Sequence, residues 1–210
     1  MHRQRRAVRS ASIPIWGTLT LILAFVPAGY LLWDRLPSEM AIHFTFSGHP
    51  DDFAPKECVV IGMPLFLAAM QGMVLAAAQR MRGRLCAAAP VARWTVPAVS
   101  ACVMLLLYGT ALGAHPNVAM WMQLIVGVVQ VIVGNVMPKC SADIRLGRYT
   151  SLLRTNDRQK IARFWGYCLV VGGALNCGCA LLESSYLFII VTVATMTLPW
   201  IYVGNVLREL

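Results

Sequence analysis

"DRLPSEMAIHFTFSGHPDDFAPKE", residues 34 to 57, is the one long polar interval before residue 79, and the reading of the whole chain turns on it. It holds five of the nine acids, two of the four histidines and three prolines. The sequence on either side is oily. "IPIWGTLTLILAFVPAGYLLW" (13 to 33) precedes it and "CVVIGMPLFLAAMQGMVLAAA" (58 to 78) follows. Crossing the hydrocarbon core of a bilayer takes about 20 mainly apolar residues, and each run is that long. The polar stretch therefore reads as a water-facing loop between two membrane spans.

Composition carries this reading along the chain. Of 210 residues, 58% are apolar and only 13% charged, where a soluble domain carries about a quarter charged. Mean hydropathy is +0.64. Four more apolar runs follow, at 94 to 114, 118 to 138, 164 to 182 and 186 to 206. The expected fold is an all-α integral membrane protein with six transmembrane helices. Prolines inside several runs do not oppose this, because neighbouring helices can satisfy the carbonyls that they free. The basic start "MHRQRRAVR" suits a signal peptide. No small-residue cleavage site follows before "DRLP", so residues 13 to 33 are read as a retained span.

The basic residues set the orientation. Sixteen of the 18 Lys and Arg lie in the tail 1 to 12, the loops 79 to 93 and 139 to 163, and at Arg208; only Arg35 and Lys56 lie on the other side. The positive-inside rule places both termini in the cytoplasm and an ordered loop between helices 1 and 2 outside. Asp34, Glu39, Asp51, Asp52, Glu57 and Glu183 all fall outside on this map. The chain divides into a basic tail (1–12), two spans carrying the outer loop 34–57 (13–93), and a four-span region with a basic loop 139–163 (94–210). The net charge of +9 is accounted for by topology and by attraction to anionic head groups. No folded basic module marks direct nucleic-acid binding, so the bilayer is the first partner.

Seven cysteines are scattered through spans and inner loops, and "CGC" at 177 to 179 lacks the spacing of a CxxC site. They are read as small apolar residues. Trp16, Trp33, Trp94, Trp121, Trp165, Tyr186 and Trp200 fall near the span ends, where amphipathic rings anchor.

Within the opening loop, "AIHFTF" alternates in the manner of a short extended segment, and Gly48, Pro50 and Asp51 are turn signals. The pattern Leu36, Pro37, Ile42, His43, Phe44, Gly48, Pro50, Asp51 and Lys56 resembles the signature of a small bacterial domain of unknown function, with Ala41 where that pattern has a second proline. That domain often precedes SdpI-type membrane proteins, bacterial immunity proteins against peptide toxins. "VGNVMPK" (133 to 139), with Gly134, Asn135, Pro138 and Lys139, resembles a second motif of that family. "LGRYT" keeps Gly147 and Arg148 of the following loop motif but lacks its proline and tryptophan. The resemblance implies a multi-pass protein of the bacterial inner membrane, immunity to a toxin or sensing of it, and a repressor as a partner for the inner loop.

Several uses of these residues compete. His43, His49, Asp51 and His115 are potential zinc or copper ligands, though at no standard spacing. The structural alternative gives His43 a buried hydrogen bond and Asp51 a turn-capping role. Lys56 either pairs with Asp52 or Glu57 or holds the loop down as a lid. Gln71, Gln123, Gln130, Asn135, Asn176 and Asn205 lie at membrane depth, where amides glue helices together. Asn135 and Asn205 also fit helix-end caps. A helix through 148 to 165 is expected to lie at the interface, with Leu152, Leu153 and Ile161 towards lipid.

No GxSxG elbow, HExxH or P-loop is present. The chain is accordingly expected not to be an enzyme and to need no cofactor. The leading expectation is an outer loop that meets the apolar face of an amphipathic peptide toxin through Phe44, Phe46 and Phe53. His43, Gly48, Asp51, Asp52 and Lys56 would bind that toxin or shape the loop. The alternatives are a solute or lipid transporter, with a cavity lined by Gln71, Gln130, Asn135 and Asn176 and the loop as gate, and a membrane enzyme with an outer His/Asp metal site.

Overall fold

The computed structural model describes residues 15–80, 89–139 and 153–208. In chain order its elements are α1 (Ile15–Leu23), α2 (Phe25–Leu31), β1 (Glu39–Phe44), β2 (Pro50–Pro55), a π-helical turn (Cys58–Gly62), α3 (Met63–Arg80), α4 (Ala89–Ala111), α5 (Val118–Val136), α6 (Thr155–Leu181) and α7 (Ser185–Arg208). Five helices are long and apolar enough to cross a membrane: Cys58–Ala76, Arg93–Ala111, Val118–Lys139, Thr155–Leu181 and Ser185–Arg208. These mark a multi-pass membrane protein. Termini 1–12, and Gly147 and Arg148 of the second motif, lie outside the described residues.

Of the first expected span, 13 to 33, the structure describes the residues from Ile15 on. They form an apolar stretch, Trp16–Leu31, broken at Ala24 into α1 and α2. Pro27 has no amide hydrogen to offer the Leu23 carbonyl four residues back, which weakens the helix at that turn. The all-α expectation holds for the apolar helices and is corrected within the ordered loop between the first two of them. β1 and β2 pair antiparallel as a hairpin between the first apolar run and the second.

The N-terminal half packs through large side chains. Leu36, Met40, Val59, Val60, Met104, Leu107 and Tyr108 form a buried cluster joining α2, the hairpin, the π turn and α4. Its proline defects are mended locally. The π turn, closed by Met63 N–H on the Cys58 carbonyl, lies just ahead of Pro64, where an α turn would clash with the proline ring. Pro97 denies the Arg93 carbonyl its helical donor, and Gln71 Nε2 donates to that oxygen at 2.9 Å. Gln71 also donates to Thr18 Oγ1 at 3.4 Å. It is thus the interhelical glue that its residue type implies.

The C-terminal half packs through the absence of side chains. A Cβ on Gly173 would lie 2.5 Å from the Gly127 carbonyl oxygen, and one on Gly134 would lie 2.7 Å from that of Gly166. The reversed order of these pairs makes α5 and α6 antiparallel, with backbones touching. Asn176 Nδ2 donates to Gln130 Oε1 at 2.8 Å and Thr192 Oγ1 at 3.0 Å, tying α5, α6 and α7.

The expected interfacial helix at 148 to 165 is corrected too. From Thr155 onward it is the first three turns of α6. Leu153 and Ile161 are buried against Val203, with Trp165 and Tyr202 around them, rather than turned to lipid. Asn135 and Asn205 lie inside α5 and α7, so neither caps a helix end. Trp16, Trp94, Trp121, Tyr186 and Trp200 are exposed, as interfacial anchors are.

Candidate functional site

The hairpin sits over one end of the bundle, and its construction follows from its residues. Met40, Ile42 and Phe44 alternate along β1 and pack on the buried cluster, leaving Glu39 and His43 exposed. The register carries an irregularity around Ile42: Ala41 pairs with Phe53, and His43 with Asp52. The turn closes through Gly48 N–H on the Thr45 carbonyl and Thr45 N–H on the His49 carbonyl, both at 2.8 Å. Gly48 has φ of +84°, a conformation that side chains other than glycine's rarely permit. A Cβ there would also press on the backbone of Ala119 in α5, at 3.3 Å.

Three contacts hold this hairpin down. Lys56 donates to the Trp33 carbonyl at 3.2 Å, and its ammonium lies 4.5 Å from the centre of the Trp33 ring. The lysine thus holds the loop to the end of the first apolar run, and its partner is neither Asp52 nor Glu57. At the far tip, Ser185 Oγ at the start of α7 donates to the Phe46 carbonyl at 2.6 Å. Gln123 Nε2 of α5 in turn donates to Ser185 Oγ at 3.2 Å. The hairpin is rooted in the N-terminal half and latched to the C-terminal half.

The expected histidine site takes a different form. His43 Nδ1 lies 2.6 Å from Asp51 Oδ1, but both side chains are well exposed, at 67% and 42%. His43 is therefore not a buried structural histidine, and Asp51 clips the two strands rather than capping the turn. An exposed pair of this kind is worth at most about 1 kcal/mol. His49 and His115 line a separate cleft of about 400 Å³ with Glu39 and Phe53. The four residues weighed as metal ligands are thus divided between two places. Among the described residues, no three His, Cys, Asp or Glu are grouped to hold a metal ion.

Under the hairpin lies an apolar cleft of about 290 Å³. Ile42, Phe44, Met63, Val103, Leu107, Val118, Met122 and Phe188 form most of its wall, with His43, Thr45 and Gln123 as polar members. Of the three expected aromatic contacts, Phe44 is tucked between this wall and the core, while Phe46 and Phe53 are exposed at 66% and 53%. Asp52 Oδ1 accepts from Phe53 N–H at 2.9 Å and so shapes the strand.

The four amides proposed to line a transport cavity are not brought together. Gln71 joins α1, α3 and α4; Gln130 and Asn176 bond each other in the C-terminal half; Asn135 is exposed. In the second motif, Gly134 and Pro138 are packing residues, both closing on Gly166 of α6, whereas Asn135 and Lys139 are exposed. Sequence reasoning missed Ser185 altogether and read Gln123 only as a membrane amide. No pattern links Ser185 to a carbonyl 139 positions earlier.

The fold and site thus define a multi-pass membrane protein capped at one end by a latched β-hairpin. Residues 19–68 match the family model of a domain of unknown function, DUF1648. The match spans the first apolar run from Leu19, the whole hairpin and the start of α3, and it includes the signature residues of the hairpin. No curated protein and no solved structure matches the chain.

Proposed function

We propose that this is a six-span protein of the bacterial inner membrane, of the SdpI type, with both termini in the cytoplasm. Its hairpin binds a cationic amphipathic peptide toxin at the outer surface and so confers immunity. The observation that carries this reading is the exposure of Phe46 and Phe53 on a hairpin fastened to both halves of the bundle, above an apolar cleft. A rigid scaffold presenting aromatic rings suits an apolar helix face, because little ordering entropy is lost on binding. Charge supports it further. Asp34, Glu39, Asp51, Asp52, Glu57 and Glu183 outnumber Arg35 and Lys56 on the segments at that end, which favours encounter with a cationic peptide.

Expression in a toxin-sensitive bacterium tests the proposal. Survival should rise with the wild-type protein and fall back with Phe46→Ala combined with Phe53→Ala at equal membrane abundance. Equal killing with and without the wild-type protein removes the immunity reading.

A further inference from the structure

Two helices end in the same kind of turn beside the hairpin, and the sequence fills the two turns differently. After α4, Gly113 N–H donates to the Thr110 carbonyl at 3.1 Å and Ala114 N–H to that of Gly109 at 2.9 Å. After α6, Glu183 N–H donates to the Ala180 carbonyl at 3.1 Å and Ser184 N–H to that of Cys179 at 3.0 Å. This crossed pair of bonds closes a helix with the residue after its cap in the left-handed region, a position that glycine usually takes. Gly113 takes it at φ of +87°. Glu183 takes it at φ of +54°, and among the described residues no other side chain is held at positive φ. A Cβ is disfavoured there, so the glutamate stands against the preference of its own backbone. Conformations of that kind concentrate where a side chain has a use. The fold itself makes none of this one: among the described residues, the Glu183 carboxylate has no ion pair or hydrogen bond.

Glu183 lies in the wall of a cleft of about 780 Å³ between the hairpin tip and the α6–α7 turn. It is the one charged residue of that wall, which also holds Phe46 and Tyr186. Both rings are free, Tyr186 at 84% exposure. The latch sets them in place, because Ser185, next to Tyr186, donates to the carbonyl of Phe46 itself. We propose that this cleft binds an ammonium or guanidinium group, with its charge on the Glu183 carboxylate and its flank on the rings of Phe46 and Tyr186. A carboxylate gives such a group a charge-assisted hydrogen bond, and the face of a tyrosine or phenylalanine ring attracts a cation. The other polar groups of the wall are engaged. Asn117 Oδ1 accepts from Met120 N–H at 3.0 Å, the Thr45 and Ser47 hydroxyls bond each other at 2.9 Å, and Ser185 and Gln123 form the latch. The carboxylate is thus the group left to choose the ligand, and it repels anions. Resting on the peptide-binding reading, the source of the cation is a lysine or arginine side chain of the bound peptide, whose apolar face meets the neighbouring aromatic rings.

The site is testable without any peptide. The full chain in phosphatidylcholine nanodiscs is titrated with 4-fluorobenzylammonium and followed by fluorine NMR, with empty nanodiscs and the neutral 4-fluorobenzyl alcohol as controls. Wild type should bind the ammonium saturably and about tenfold more tightly than the alcohol, as one charge-assisted hydrogen bond predicts. Glu183→Gln should erase that preference. Glu183→Gly should erase it too while raising the Tm, because glycine relieves the turn, so the loss is not one of folding. Tyr186→Leu should weaken the ammonium about threefold. Signals that match empty nanodiscs overturn the proposal, as does a preference for the ammonium that survives in Glu183→Gln. A protein that protects cells but does not prefer the ammonium loses the cation site and keeps the peptide reading; one that binds the ammonium through Glu183 but does not protect keeps the site and loses immunity.

Discussion

The two halves of the bundle solve the same problem by opposite means. Between α5 and α6, glycines bring backbones into contact, with Gly127 on Gly173 and Gly134 on Gly166. Around α2, α3 and α4, bulky residues such as Met104, Leu107 and Tyr108 fill a cluster that also receives the hairpin. Apolar burial gains nothing for helices already dissolved in lipid, so close contact and hydrogen bonds must hold the C-terminal half together. The N-terminal half has a water-facing cap to anchor, and side-chain packing does that. Breaks in its helices are tolerated because partners reach the exposed backbone. Tyr108 Oη donates to the Phe25 carbonyl at 2.9 Å, beside Gly29, where any Cβ would strike the Tyr108 hydroxyl and Val60.

This contrast breaks most readily at Gly173. Gly173→Leu drives a side chain into the Gly127 carbonyl and should cost more than about 3 kcal/mol, the upper end for overpacking. Leu107→Met in the other half, a volume-conserving change in a side-chain core, should cost less than about 1.5 kcal/mol. Thermal unfolding in detergent compares the two, and equal losses would show that backbone contact is not what distinguishes the halves. Ser185→Ala comes next. Removing the latch should leave global unfolding within about 1 kcal/mol of wild type while speeding amide exchange at residues 44 to 50, the segment that it holds. Unchanged exchange there would mean that the hairpin stands on its root alone. The smallest effect belongs to His43→Ala. The exposed His43–Asp51 pair should contribute under about 1 kcal/mol, so unfolding should scarcely move, and a larger loss would assign this pair a structural weight that its exposure does not support.

Much of this architecture was legible in advance. Apolar runs long enough to span lipid located α3 to α7 within a few residues at most ends, and the alternation in "AIHFTF" marked a strand. In the first run, hydropathy does not register the donor that Pro27 removes and so gives no sign of the break at Ala24. Leu153 and Ile161 were turned the wrong way because an amphipathic helix looks the same whether its apolar face meets lipid or another helix. Of the two uses open to Lys56 in the sequence, the contact observed is the one that ties the loop down, and its partner, the carbonyl and ring of Trp33, carries no charge that a sequence pattern would pair with it.

From sequence alone come the composition-driven facts: how much of the chain prefers lipid, where water-facing segments interrupt it, and that an extended segment followed by turn signals at Gly48, Pro50 and Asp51 lies in the first of them. These are local, because transfer free energy and φ preference belong to single residues and short runs. The latch from Phe46 through Ser185 to Gln123, and the apolar cleft beneath it, arise only when the two halves pack together. A hydrogen bond between residues far apart in the chain is a property of their positions in space, and no local preference of serine or glutamine encodes it.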